Sequence, residues 1–213
     1  MYSSGYGDIV TIEVGTQDNK QTFRVHKGFL SFYSGYFKAA LEGAWAESKS
    51  GIIKLETEDP LVFERFVHWL YTNKITDDQR KSEFRIIIGL WLFADRRDIP
   101  LLMNEMIDAL HKEIANSWLM PTDFLHKVYE STTEGSALRR MLMWTMSRIM
   151  RADMFNGDYA ERWPRTALLD MVKLVLAERP AATMTQDQYK KVKMCPLYHV
   201  HEEGASCAEK LKT

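Results

Sequence analysis

The stretch Thr22-Phe23-Arg24-Val25-His26-Lys27-Gly28-Phe29-Leu30-Ser31-Phe32-Tyr33-Ser34-Gly35-Tyr36-Phe37 decides how this chain folds. Phe23 and Val25 alternate with Thr22 and Arg24, the period-two pattern of a strand with one buried face. From Phe29 the apolar residues fall at Phe29, Leu30, Tyr33 and Phe37, the spacing of one helical face. The period changes at His26-Lys27, which puts an ionisable pair at a tight strand-to-helix corner. A corner of that kind points to recognition better than to catalysis.

Outward from this corner the same rules extend the pattern. Ile9 to Gly15 alternates, with Val10, Ile12 and Val14 on one face, and Gln17-Asp18-Asn19-Lys20 supplies turn residues, so residues 9–26 form a hairpin. A helical pair covers 28–42 and breaks at Ser34-Gly35, where the apolar phase slips. Residues 51–56, with Ile52, Ile53 and Leu55, make a third short strand. Asp59-Pro60 starts a helix whose stripe is Leu61, Phe63, Phe66, Val67, Leu70 and Tyr71, ending near Asn73.

Beyond Ser82 the chain is helical in character. One stripe is Phe84, Ile87, Ile88, Trp91 and Leu92; the next is Leu102, Met106, Ile107, Leu110 and Ile114, with Asp98-Ile99-Pro100 between them. Further helices are expected at 122–131, at 136–151 (Leu138, Met141, Leu142, Thr145, Ile149) and at 165–178 (Leu168, Met171, Val172, Val175). The expected fold class is α+β: a small three-stranded sheet with a helical shell over residues 1–118, an all-helical extension over 119–180, and a C-terminal tail over 181–213.

Composition bounds the function. A chain of 213 residues buries roughly 70% of its unfolded surface without needing a disulfide or a metal. A net charge of −1 argues against a dedicated nucleic-acid binder. No apolar run is long enough to span a bilayer, and Met1 to Asp8 lacks the basic and apolar regions of a signal peptide. With two cysteines and no secretion signal, an intracellular location in nucleus or cytoplasm is expected. There is no nucleophile elbow, phosphate-binding glycine loop or His-Glu-x-x-His pattern. The six tryptophans read as packing anchors, one per element, and Met141, Met143, Met146 and Met150 as a helix core.

The ordered set Gly7-Asp8-Ile9-Val10, Phe23-Arg24-Val25-His26-Lys27, Leu30, Ser34-Gly35-Tyr36-Phe37 and Phe63-Glu64-Arg65-Phe66 to Leu70-Tyr71-Thr72 resembles the BTB/POZ domain. It covers about residues 7–118, and the helical remainder is similar to the C-terminal part of fungal BTB-domain proteins. The resemblance implies a non-enzymatic protein-interaction and oligomerisation module. With so few residues before the first strand, exchange of an N-terminal strand between subunits is not expected.

By the same resemblance Asp8 and Lys27, with His26 beside them, line a partner groove; the alternative is an ordinary structural ion pair at the corner. Trp45-Ala46-Glu47 falls where ubiquitin-ligase adaptors of the family carry an apolar-x-Glu motif that docks a cullin. Trp45 is then a pocket-filling anchor and Glu47 a steering charge; the alternative is Trp45 packed on the module's own surface. A substrate adaptor for a cullin-type ubiquitin ligase is thus one expectation. Self-association as a homodimer, or a transcription-regulatory scaffold, is another.

The tail carries a separate pattern. Cys195, His199, His201 and Cys207 match tetrahedral zinc by number and type, and His199 and His201 share one side of an extended segment. Four protein ligands make such a site a structural clip, since no coordination position stays open. A zinc-dependent sensor or enzyme is the rival reading, and a tail with two free thiols the plain one.

Overall fold

In the computed structural model, which describes residues 7–42, 51–75, 83–155 and 158–178, the hairpin is the nucleus of the architecture. Strand β1 (Ile9–Val14) buries Val10, Ile12 and Val14, and β2 (Gln21–His26) buries Val25. They pair antiparallel from Ile9↔His26 to Val14↔Gln21. Strand β3 (Ile52–Leu55) lies parallel on the other side of β1, giving the order β2-β1-β3. Parallel pairing requires a crossover, and helices α1 (Lys27–Tyr33) and α2 (Gly35–Glu42) lie within it.

Helix α3 (Pro60–Thr72) begins as expected. Pro60 takes the first helical position, and the Asp59 carboxylate accepts the Leu61 N–H at 2.9 Å. It ends at Asn73, which holds the left-handed conformation at φ 53° and returns its N–H to the Trp69 carbonyl. Its inner side joins an aromatic core. Phe66 lies 4.8 Å from Phe93 and 5.6 Å from Phe63, and Phe63 meets Phe23 of β2 at 4.9 Å. Phe37 of α2 completes the group, 6.2 Å from Phe66. Edge-to-face and offset rings of this kind add to their apolar burial.

Helix α4 (Phe84–Arg96) differs from the expected single stripe. Every residue from Ile86 to Ala94 is buried, so the helix is enclosed on all sides. Neighbours on both flanks explain this. Gly89 sits so close to Val62 of α3 that a Cβ there would fall 2.7 Å from a Val62 methyl. The opposite flank packs on α5 (Pro100–Ser117), which buries Leu102, Met106, Leu110 and Ile114.

The later helices are α6 (Leu125–Ser131), preceded by a 3-10 turn at Thr122–Phe124, then α7 (Ala137–Ile149), a short α8 (Asp158–Glu161) and α9 (Arg165–Ala177). Arg139 ties α7 to α6 from a buried position. Its guanidinium donates to the Tyr129 carbonyl at 2.7 Å and to the Thr132 hydroxyl at 2.7 Å, and it stacks on the Tyr129 ring. The Tyr129 hydroxyl donates to Asp170 of α9 at 3.0 Å. Burial first, and then the adjacent Asp170 charge, push the Tyr129 phenol far above its usual range. Residues 1–174 form one unit by their contacts and 175–213 a second, of which only 175–178 are described.

Two expectations need correction. Trp69, Trp91 and Trp163 are buried anchors, but Trp118 and Trp144 are exposed. On α9 the expected stripe is also displaced: Ala167, Met171 and Leu174 face the core, whereas Leu168 and Val172 face away from it. That helix is apolar on both sides, so periodicity alone assigns the wrong one. No described helix is long and apolar enough to cross a membrane.

Candidate functional site

The corner quoted at the outset is held by main chain. The Lys27 N–H donates to the Asp8 carbonyl at 2.7 Å, which fixes the residue before β1 against the first residue of α1. The Lys27 ammonium reaches the Leu41 carbonyl at 3.0 Å, a cation at the last turn of α2. Asp8 and Lys27 are thus neighbours through backbone, with the ammonium directed at a helix end. His26 is the N-cap of α1 in extended conformation. The Tyr71 hydroxyl accepts its N–H at 3.1 Å and lies 2.8 Å from its ring Nδ1.

Around this corner sits a surface of aromatic and aliphatic groups. The Tyr71 ring is 5.0 Å from Phe29 and 5.8 Å from His26. Ile9, opposite His26 in the ladder, is 50% exposed, Tyr71 is 44% exposed, and Phe32 on α1 is 79% exposed. Phe32 and Tyr71 were not singled out for this surface by sequence reasoning. The available signal was that the buried stripe Phe29, Leu30, Tyr33, Phe37 leaves Phe32 on the outer side of its helix.

Two polar locks hold that surface to the core. At the α1–α2 break the Ser34 hydroxyl accepts the Phe37 N–H at 3.1 Å, capping α2, and donates to the Arg97 carbonyl at 2.5 Å. The Gly35 N–H donates to the Asp98 carbonyl at 3.1 Å. The Arg97 guanidinium lies 4.4 Å from the Tyr36 ring centroid and donates to Glu58 at 3.1 Å. Glu58 is buried and also receives a two-point bond from Arg96, at 2.7 and 3.2 Å.

Trp45 and Glu47 lie outside the described residues, as do Cys195, His199, His201 and Cys207. Among the described residues no group of three or more His, Cys, Asp or Glu is placed to hold a metal. The open clefts that are described have mixed polar and apolar linings. One, lined by Glu58, Asp59, Arg96 and Lys127 among others, lies where α4 and the α3 entry meet α6. Its carboxylates are already bonded to Arg96, Arg97 and Arg85.

The model of the BTB/POZ domain matches residues 8–112 of the chain. Among solved structures, the BTB domain of zebrafish PATZ1 is similar at 18% identity and a TM-score of 0.38, covering 48% of this chain and 75% of that one. No curated protein matches. The ordered hairpin, the capped Ser34-Gly35 break and the aromatic core under them are the parts that fall within the matched range, and residues 8–112 of this chain are a BTB/POZ domain.

Proposed function

We propose that the chain is a non-enzymatic protein-interaction scaffold that self-associates through the surface of Ile9, His26, Phe29, Phe32 and Tyr71. The observation that carries this reading is Phe32. A phenylalanine that is 79% exposed on a helix whose other aromatics, Phe29 and Tyr33, are half-buried against the core is a hot-spot residue awaiting a pocket. The rim of the surface is polar, with Asp8 exposed beside Lys27. An apolar centre within a polar rim is the anatomy of a protein-binding patch.

The test is a Phe32→Glu variant compared with the parent chain by sedimentation velocity over a range of concentration. Unchanged thermal stability with loss of the associated species supports the reading. An associated species of unchanged strength removes it. A finer version makes the chain a cullin-ligase adaptor through Trp45 and Glu47. Its support is the family membership of residues 8–112 together with the apolar-x-Glu sequence at that place. Undiminished co-purification of a Trp45→Ala/Glu47→Ala variant with a cullin would end that version.

A further inference from the structure

β2 is the outer strand of its sheet, and two hydrogen bonds fix which of its main-chain groups face outward. The Lys27 N–H donates inward to the Asp8 carbonyl, so the odd-numbered residues of β2 turn their N–H and C=O groups toward β1. The His26 N–H points the other way, onto the Tyr71 hydroxyl. Thr22 and Arg24 share the parity of His26, so their N–H and C=O groups leave the sheet. Both residues are exposed, and no described residue bonds to these groups. Tyr71 closes the open ladder at His26, and the 3-10 turn Gln17–Asn19 precedes its other end.

We propose that this edge pairs antiparallel with the same edge of a second copy of the chain, with Thr22 opposite the partner's Arg24, fusing the two sheets into one. The ladder is its own complement. A twofold axis beside Phe23 sets Thr22 against the partner's Arg24 in both directions, and every outward group of both residues is then bonded.

Charge selects this register over its neighbours. An axis at Arg24 would set two guanidinium groups directly opposite each other. An axis at Thr22 would set Arg24 opposite Lys20. Like charges facing across a seam are destabilising. In the selected register Arg24 also lies two strands from the partner's Glu13, because Glu13 is the cross-strand neighbour of Thr22 on the same sheet face. Two strand spacings are about 9.6 Å, which an extended arginine and a glutamate can bridge. Arg24 makes no ion pair with a described residue; the partner's Glu13, which already pairs with Lys20 of its own chain at 2.7 Å, takes Arg24 as a second cation across the seam. A strand of an unrelated protein would meet the ladder without this match.

The seam is short and its ion pairs are exposed, so the contact is weak, on the order of millimolar. It adjoins the Phe32 surface at His26 and Tyr71, and the Phe32→Glu arm tells the two apart. The experiment follows the amide resonances of the nitrogen-labelled full chain from about 20 µM to about 1 mM, in the parent and in Phe32→Glu. The Thr22 and Arg24 amides are expected to move with concentration in both. Arg24→Glu is expected to abolish the movement, and Glu13→Lys combined with Arg24→Glu to restore it. Thr22→Pro, which deletes an outward N–H and leaves the bonds to β1 in place, is expected to abolish it, with the Val10 and Ile12 amides unmoved as the check on folding. Concentration-independent Thr22 and Arg24 amides overturn the proposal, as does movement that survives Arg24→Glu. Movement in the parent that vanishes in Phe32→Glu overturns it too, by assigning the effect to the other surface.

Discussion

Gly35 and Asp98 approach so closely that no side chain fits between them: the Gly35 N–H donates to the Asp98 carbonyl at 3.1 Å, and a Cβ on Gly35 would overlap the Asp98 carboxylate. Asp98 is itself in the left-handed region at φ 50°. The break between α1 and α2 is thereby locked to the corner between α4 and α5. Gly35→Ala is expected to lower stability by about 1–2 kcal/mol, because the carboxylate must swing away from a strained residue. Asp98→Gly removes the obstruction and tolerates the positive φ. In a double-mutant cycle by urea unfolding, the pair should cost less than the sum of the single changes. Strict additivity would show that the two residues do not meet.

Glu58 is expected to be the most costly carboxylate to remove in the described part of the chain. Its side chain is 4% exposed and accepts from both Arg96 and Arg97. Glu58→Ala leaves the partly enclosed Arg97 without its counter-ion and should cost about 3 kcal/mol. Arg96→Ala should cost less than about 1 kcal/mol, since the Arg96 side chain is 39% exposed and water replaces the lost contact. Denaturant midpoints of the two variants, with the slope unchanged, would measure the asymmetry. Equal losses would contradict it.

The sequence made the sheet, the corner and the order of helices legible because each rests on a local signal: alternation, a change of period, Asp59-Pro60, Ser34-Gly35. What it did not show is what each face meets. The run Ile86 to Ala94 is apolar without interruption, and that composition, more than its stripe, was the sign that α4 is enclosed on all sides. On α9 apolar residues stand on both sides, and the inner face was set by Tyr129 reaching Asp170, a contact between residues far apart in sequence. Trp118 and Trp144 show the same limit, since a large ring marks an anchor only where another element arrives to cover it. For the candidate site, His26, Lys27 and Asp8 were legible from the corner and from the family pattern. Phe32 was marked only by its place off the buried stripe, which says that it is outside and not what it meets.

Tyr71→Phe should loosen the corner without unfolding the chain. The hydroxyl accepts the His26 N–H and lies 2.8 Å from His26 Nδ1, on a residue that is 44% exposed. Water can replace part of what is lost, so a cost of about 1 kcal/mol is expected. The informative readout is local: the His26 amide should exchange with solvent faster, while the Val25 amide, inside the β1–β2 ladder, should keep its protection. Equal acceleration at both sites would mean that Tyr71 supports the whole hairpin.

Asp59 gives a pH dependence whose sign is fixed by its surroundings. Burial pulls its pKa up, but the Arg85 guanidinium at 2.6 Å and the Leu61 N–H outweigh that and hold it below the usual aspartate range. A carboxyl depressed in the folded state contributes stability that is complete above its unfolded pKa, near 3.9, and is lost as pH falls through the folded value. Asp59→Asn keeps a good helix cap and removes only the charge. Arg85 is 56% exposed along its side chain, so the difference between the parent and Asp59→Asn should be no more than about 1 kcal/mol at pH 7. It should shrink toward zero as pH falls through the depressed folded value and the parent carboxyl is protonated. Thermal unfolding of both chains across that range, read as a difference, cancels the other acidic groups. A gap that stays constant to the lowest pH would mean that Asp59 acts as a cap alone, with no contribution from its pairing with Arg85.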